Sequence, residues 1–293
     1  MALDSKRIKG PEKSFVPLPL LVQSTPTPTP TSTKTKGRID GRGTDEVRPL
    51  FATTRLVRQA SGSAFVEVGG VKVVCAVYGP KPVPASKVQD HHSGGRISCD
   101  VRLSPFAALK RKQFMKEPAE HSLSNNLHTA LLPSLLLAHL PKSQIDIHIQ
   151  ILQAQNPTSI PPNAFVSSLS LLLAPCITAA SLALADAQIE MMDSVVGCNL
   201  GIYRNPSTQK LFWMVDCTEE EIETRSNGGG VWVGNCVVGV MPSIGKVTGL
   251  VMDGDIGDVG FVMEAVQVCV DACAKIHEVV VKKALIESAQ AKE

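Results

Sequence analysis

A chain of 293 residues, 44% hydrophobic and 19% charged, has the composition of a soluble globular protein and can bury the core of one large domain or two smaller ones. Its net charge of +2 excludes a global field as the basis of nucleic-acid binding, so any such contact must come from local patches. Eight cysteines at 75, 99, 176, 198, 217, 236, 269 and 273, none in a C-x-x-C pair, argue against a disulfide framework and read as reduced, buried thiols of the cytosol or nucleus.

Residues 1–37 read as a tail. They hold six prolines, a Thr-Pro run and few large apolar residues, which favours polyproline II or disorder. The charged N-terminus has no apolar stretch of the secretory kind, so secretion is not expected. The segment 38–49, RIDGRGTDEVRP, is polar and turn-rich. In residues 61–81, two runs of β-branched residues flank Gly69-Gly70, a pair suited to a two-residue hairpin turn. That turn sets Val68 against Val71, Glu67 against Lys72 and Val66 against Val73, with Ala64, Val66, Val68, Val71, Val73 and Cys75 on one buried face. Gly79-Pro80 is expected to end the second strand, since proline offers no N–H to the ladder.

A polar loop follows, holding His91-His92, and residues 96–103 alternate as a third strand. Next comes a basic segment with Arg102, Lys110, Arg111, Lys112 and Lys116 and no acid before Glu117. It fits either a surface that follows a phosphate backbone or a solvated loop. Residues 119–139 have helical spacing, with Leu123, Leu127, Ala130 and Leu131 on one side, and residues 144–152 alternate again. No Asp, Glu, Lys or Arg occurs between Asp146 and Asp186, and residues 164–185 are apolar enough to resemble a membrane span. Pro175 and the many Ser and Thr residues favour instead a buried strand, an apolar loop and a core helix over 177–188. Strands are expected at 194–203, 211–217, 231–240 and 246–252. A helix over 258–287 follows, with Asp258 as N-cap and a stripe of Val262, Val266, Cys269, Cys273, Ile276 and Val280. The order predicts an α+β fold with mixed sheets.

Four motifs invite chemistry. GVMPSIGK at 239–246 imitates a phosphate loop but has five residues between its glycines and Val247 where a hydroxyl is needed. Gly228-Gly229-Gly230 reads as a flexible turn. Cys269 and Cys273 lack a second Cys/His pair at zinc spacing and read as core thiols. The run Glu219-Glu220-Glu221 after Asp216 fits either a solvated helix start or an acidic site for Mg²⁺ or acid–base work.

Taken in order, Arg38-Ile39-Asp40-Gly41-Arg42 with Arg48-Pro49, the Gly62-Ser63-Ala64 hairpin, Ser104-Pro105-Phe106, the ITAASLALADAQ helix and Met241-Pro242-Ser243 resemble the RNase PH-like family. Arg7-Ile8-Lys9-Gly10-Pro11-Glu12 and Val195-Val196-Gly197-Cys198 look most like its Mtr-type ring subunits of the eukaryotic RNA exosome core. The resemblance implies an RNase PH-like fold of ribosomal-S5-domain-2-like topology over 38–290, with an insertion at about 156–175. It also implies a phosphorolytic 3′→5′ exoribonuclease scaffold, whose active members form dimers that close into a ring around an RNA channel. Such chemistry needs a glycine-rich phosphate cradle, arginines on the RNA backbone and a carboxylate at the scissile phosphate.

At each requirement the chain departs. The family's Asp-Gly-Gly-Thr/Ser-Arg element becomes Gln155-Asn156-Pro157-Thr158, an arginine position falls on His128, and the catalytic Asp falls on Asn235, while Asp216 matches a second family acid. The implied reading is a silent ring subunit that needs no metal or cofactor. Arg102, Lys110, Arg111 and Lys112 are its candidate RNA contacts. Its implied partners are other RNase PH-like ring subunits, an S1/KH-type cap subunit, the hydrolytic nuclease of the assembled core, and RNA in the channel, with no membrane. The implied locations are nucleus, nucleolus and cytoplasm. The alternatives are an active phosphorolytic 3′→5′ exoribonuclease using Asp216 with Glu220 or Glu221, and a membrane-attached protein built on 164–185. The hairpin with its neighbouring strands and the small-residue helix are expected to supply subunit contacts, as edge strands do.

Overall fold

The hairpin forms in the register its sequence dictates. In the computed structural model, which describes residues 38, 40–83, 94–107, 111, 115–154, 171–205, 210–218, 221–222, 231–254, 256 and 259–290, β2 (Gly62–Val68) pairs antiparallel with β3 (Val71–Pro82). Val68 faces Val71 and Glu67 faces Lys72, and all six apolar residues of the expected inner face are buried. β3 does not stop at Gly79-Pro80. A register irregularity between Tyr78 and Lys81 lets the strand carry the proline out of the ladder and resume pairing at Lys81.

The hairpin is internal to its sheet, which corrects its expected role as an edge. β1 (Leu50–Thr54) covers β2, and β5 (Ser143–Gln153) covers β3, with β4 (Arg96–Leu103) parallel to β5 on the far side. The order is β1-β2-β3-β5-β4. A second sheet has the order β7-β6-β8-β9, from β6 (Val196–Arg204), β7 (Leu211–Val215), β8 (Val231–Met241) and β9 (Lys246–Gly254).

Between the sheets lies α2 (Leu173–Asp186), packed on β2 and β3 on one side and on β6 and β8 on the other. A helix apolar all round must be buried all round, and every residue of α2 up to Leu184 is. Its hydroxyls meet the second sheet: Gly197 N donates to Thr178 Oγ1 at 3.1 Å and Val195 N to Ser181 Oγ at 2.8 Å. Its one acid, Asp186, accepts from Ser63 N at 3.1 Å and lies 3.4 Å from Arg55 Nε. This explains the charge-free stretch without a lipid phase. Among the described residues no helix is long and apolar enough to cross a membrane. Residues 155–170 lie outside the described residues.

α1 (Pro118–Leu131) starts from a capping box at Glu117 and Glu120 and packs on β4, β9 and α2. The helical pattern expected to run to 139 breaks after Leu131 into two single 3₁₀ turns, Leu132–Ser134 and Leu137–His139, where Pro133 brings no amide to continue the α ladder. On the outer face of the second sheet lies α3 (Val259–Ile276), followed by a π turn (His277–Val281) and α4 (Lys282–Gln290). The wider turn moves the buried stripe by one residue. Ala265, Cys269, Ala272, Cys273 and Ile276 are buried as the period requires, then Val281 and Ala284 in place of the expected Val280. Asp258 lies outside the described residues.

Candidate functional site

Two acids that the alternative enzyme reading would use, Asp216 and Glu221, are held as structural charges. Asp216 follows β7 at a positive φ of 51° and is buried. Both its oxygens are gripped by one guanidinium: Arg48 Nε donates to Oδ2 at 2.8 Å and Nη2 to Oδ1 at 2.6 Å, and the Arg48 amide adds a bond to Oδ2 at 2.9 Å. Burial pulls this carboxyl upward, but the Arg48 hydrogen bonds and charge outweigh it and hold the pKa below the usual range. Glu221 is bound the same way by Arg38, through Nε to Oε1 at 2.8 Å and Nη2 to Oε2 at 2.9 Å. Its Oε2 also accepts from Thr218 N at 3.0 Å, while Thr218 Oγ1 accepts from Glu221 N at 3.1 Å. Arg38 goes on to donate to the carbonyls of Val215 at 2.7 Å and Asp216 at 2.9 Å.

The RIDGR and Arg-Pro motifs are therefore a clamp that fastens the segment before β1 to the second sheet. Glu221, the one described residue of the acidic run, is not solvated, being only 1% exposed. Nor are Asp216 and Glu221 a pair of free acids, since every oxygen of both meets an arginine. Glu219 and Glu220 lie outside the described residues. Among the described residues no group of three His, Cys, Asp or Glu side chains could hold a metal ion.

The position that the resemblance assigns to the catalytic carboxylate is central and buried. Asn235 lies in β8, is 1% exposed, and pairs with Gly201 of β6 and Asp253 of β9. Directly opposed residues of an antiparallel ladder share a face, so the half-buried Asp253 carboxylate stands beside the Asn235 amide. Sequence reading missed Asp253, because only the β8–β9 register brings it there. His128 sits half-buried in the last turn of α1, a helix that touches β9 where a Cβ on Gly249 would lie 3.0 Å from Ala130 Cβ. Gln155 lies outside the described residues.

Of the candidate RNA contacts, Arg102 is exposed on β4 and Arg111 is exposed, while Lys110 and Lys112 lie outside the described residues. The basic segment does have a compensating acid, on the strand before it. Asp100 Oδ2 accepts from Arg102 Nε at 2.9 Å and Oδ1 from Lys116 Nζ at 2.5 Å. Partial burial raises the Asp100 pKa, but the bonds from Lys116 and Arg102 outweigh it and hold the group low. Two of the five cations thus share one carboxylate. Beside them, Val74, Ala76, His148 and Gln150 complete a groove of about 360 Å³.

The remaining motifs resolve as packing. GVMPSIGK is the β8–β9 hairpin. Gly245 takes a φ of 71° and donates to Met241 O at 2.8 Å, and Ser243 N and Oγ both bond to Asp193, at 2.8 and 3.0 Å. Cys269 and Cys273 are buried against Cys198, and Cys273 Sγ lies 3.5 Å from Val196 O. Burial pushes the neighbouring Cys236 thiol up to about 12, so it stays protonated. His91, His92 and Gly228–Gly230 lie outside the described residues.

Residues 46–190 match the model of the 3′ exoribonuclease family, domain 1. The chain is 30% identical to the human protein named exosome complex component MTR3, over 98% of this chain and 96% of that one. It is also 30% identical to exosome complex component Rrp41 of Thermoplasma volcanium, over 83% of this chain and 86% of that one. The crystal structure of rice Rrp46 superposes with a TM-score of 0.62 at 19% identity, covering 82% of this chain and 97% of that one, and so shares the fold.

Proposed function

Because the chain belongs to the 3′ exoribonuclease, or RNase PH, family, we propose that it is a ring subunit of an RNA exosome core that shapes the RNA path and leaves cleavage to other subunits. The observation that carries this reading is the likeness to human MTR3 across nearly the full length of both chains. The fold supports it by keeping the family's scaffold, and the residue at position 235 supports it by its chemistry. An amide at position 235 cannot donate a proton as a carboxylic acid does, and loss of general acid–base help alone lowers rates by roughly 10²–10⁴. Of the acids an active enzyme would draw on, Asp216 and Glu221 are spent on Arg48 and Arg38, and Glu220 lies outside the described residues.

In this reading, subunit contacts made by strand edges fall to strands around the hairpin and in the second sheet, not to the hairpin itself or the small-residue helix. β2 and β3 have no free edge within their sheet and α2 is inside the core, so neither the hairpin's edges nor α2 can pair with a neighbour. Among the described residues, the strands with an open side are β1, β4, β7 and β9. β9 also exposes Val247 and Leu250, the combination that a ring neighbour would cover. RNase PH-like neighbours, an S1/KH-type cap subunit and a hydrolytic nuclease are the partners of this reading, with RNA in the channel and residence in nucleus, nucleolus and cytoplasm.

A second reading rests on one observation. Asp253 faces Asn235 across β8 and β9 and would supply a carboxylate from the next strand to an active phosphorolase. Native mass spectrometry of the complex recovered with the tagged full chain tests the assembly. A heteromeric ring of RNase PH-like chains is expected. A lone chain or a homo-oligomer would remove the ring-subunit reading.

A further inference from the structure

The first sheet keeps its apolar side for α2, and its other side remains in contact with solvent. Strand alternation places Val74 and Ala76 of β3, His148 and Gln150 of β5, and Asp100 and Arg102 of β4 together there. Val74 pairs with Gln150, which pairs with Arg102, and Ala76 pairs with His148, which pairs with Asp100. The groove between them, about 360 Å³, has the size of a small-ligand cleft.

The floor of this groove is apolar, from Val74 and Ala76. The exposed His148 ring stands on one side, backed edge-on by Tyr78 with ring centroids 5.8 Å apart at 66°. Gln150 is fixed by its Nε2 bond to Ser104 Oγ at 2.8 Å and presents an amide. Arg102 and Lys116 share the single carboxylate of Asp100, which leaves the group with a surplus positive charge. An aromatic plane, an apolar floor, an amide and a net cation together match a nucleobase attached to a phosphate. A flat groove of this kind receives a splayed base and offers nothing to the edges of a paired duplex.

We propose that the open face of the first sheet, at the His148–Arg102 groove, binds single-stranded RNA, with one base stacked on His148 and its phosphate held by Arg102, while Lys116 offsets the charge of Asp100. The proposal rests on the reading of this chain as a member of an RNA-handling assembly, and it specifies a site and mode that the reading lacks.

The test uses the full chain, alone and in its purified complex, with a short fluorescein-labelled oligouridine carrying 4-thiouridine. Cross-links are expected in β4 or β5, at Asp100–Arg102 or His148–Gln150. His148→Ala and Arg102→Ala are each expected to weaken binding about tenfold, and a duplex of matching length is expected to bind more weakly than the single strand. Both side chains are exposed, so neither change threatens folding. Unchanged affinity in the double variant, cross-links confined to other elements, or equal affinity for the duplex would each overturn the proposal. Hydrogen-exchange protection of this face in the RNA-free complex, with RNA affinity unaffected by the variants, would also overturn it and assign the face to a protein neighbour. Failure of the wild-type chain to join a ring would remove the functional reading, and the binding data on the free chain would still decide this one.

Discussion

Asp216→Asn is expected to destabilise the chain by about 3–5 kcal/mol, the cost of leaving a buried charge without its partner. Asparagine tolerates the positive φ that Asp216 adopts, so the backbone is not what fails. What fails is the bidentate grip of Arg48, which stays buried with its charge uncompensated. Arg48→Met in the same chain is expected to recover part of the loss, because removing both charges is milder than removing one. The pH dependence carries a sign that identifies the cause. The folded pKa of Asp216 lies below the unfolded value of about 3.9. Its contribution is therefore complete above the unfolded pKa and is lost as pH falls through the folded one. The difference between wild type and Asp216→Asn in urea unfolding should be full at neutral pH and shrink below about pH 4. A difference that stays constant to low pH would mean that Asp216 stabilises by shape alone.

Gly62→Val is expected to cost about 3 kcal/mol or more, at the upper end of overpacking effects. A Cβ at Gly62 would lie 2.2 Å from Ala187 N and 2.4 Å from Ala183 O. These are backbone atoms of the end of α2, and no rotamer change can relieve the clash. Moving α2 away would also part Ser63 N from Asp186. Gly41→Ala is the control. Gly41 takes a φ of 74°, which Gly62 does not and which alanine meets poorly, but nothing stands within 4 Å of the added carbon, so a loss of about 1 kcal/mol is expected from the backbone alone. Similar midpoints for the two variants would show that close approach of β2 to α2 does not limit the fold.

What could be read from the sequence divides along the range of the forces involved. The β2–β3 register was readable because turn chemistry and strand alternation are both local, and Glu67 opposite Lys72 agreed with them. That β2 and β3 lie inside the sheet was not readable, since no local signal says that β1 and β5 arrive on either side. The burial of α2 was readable in its composition, but its position between two sheets depends on partners far along the chain. Glu221 looked like part of a solvated run because the arginine that binds it is 183 residues away. The acid that answers the basic segment could have been found: Asp100 and Arg102 are two apart on one strand and must share a face. Asp253 could not, because only the pairing of β8 with β9 sets it beside Asn235. Beyond α3, the stripe slipped by one residue at the π turn, which no periodic pattern anticipates.

The central claim, a family scaffold without family chemistry, is tested most directly by nucleoside diphosphate release from labelled RNA. The purified complex containing this chain is supplied with inorganic phosphate and Mg²⁺, and the chain is wild type, Asn235→Ala or Asp253→Asn. Equal release from all three complexes, with none from the isolated chain, is the predicted result. Release that Asn235→Ala or Asp253→Asn abolishes while the ring stays assembled would contradict it.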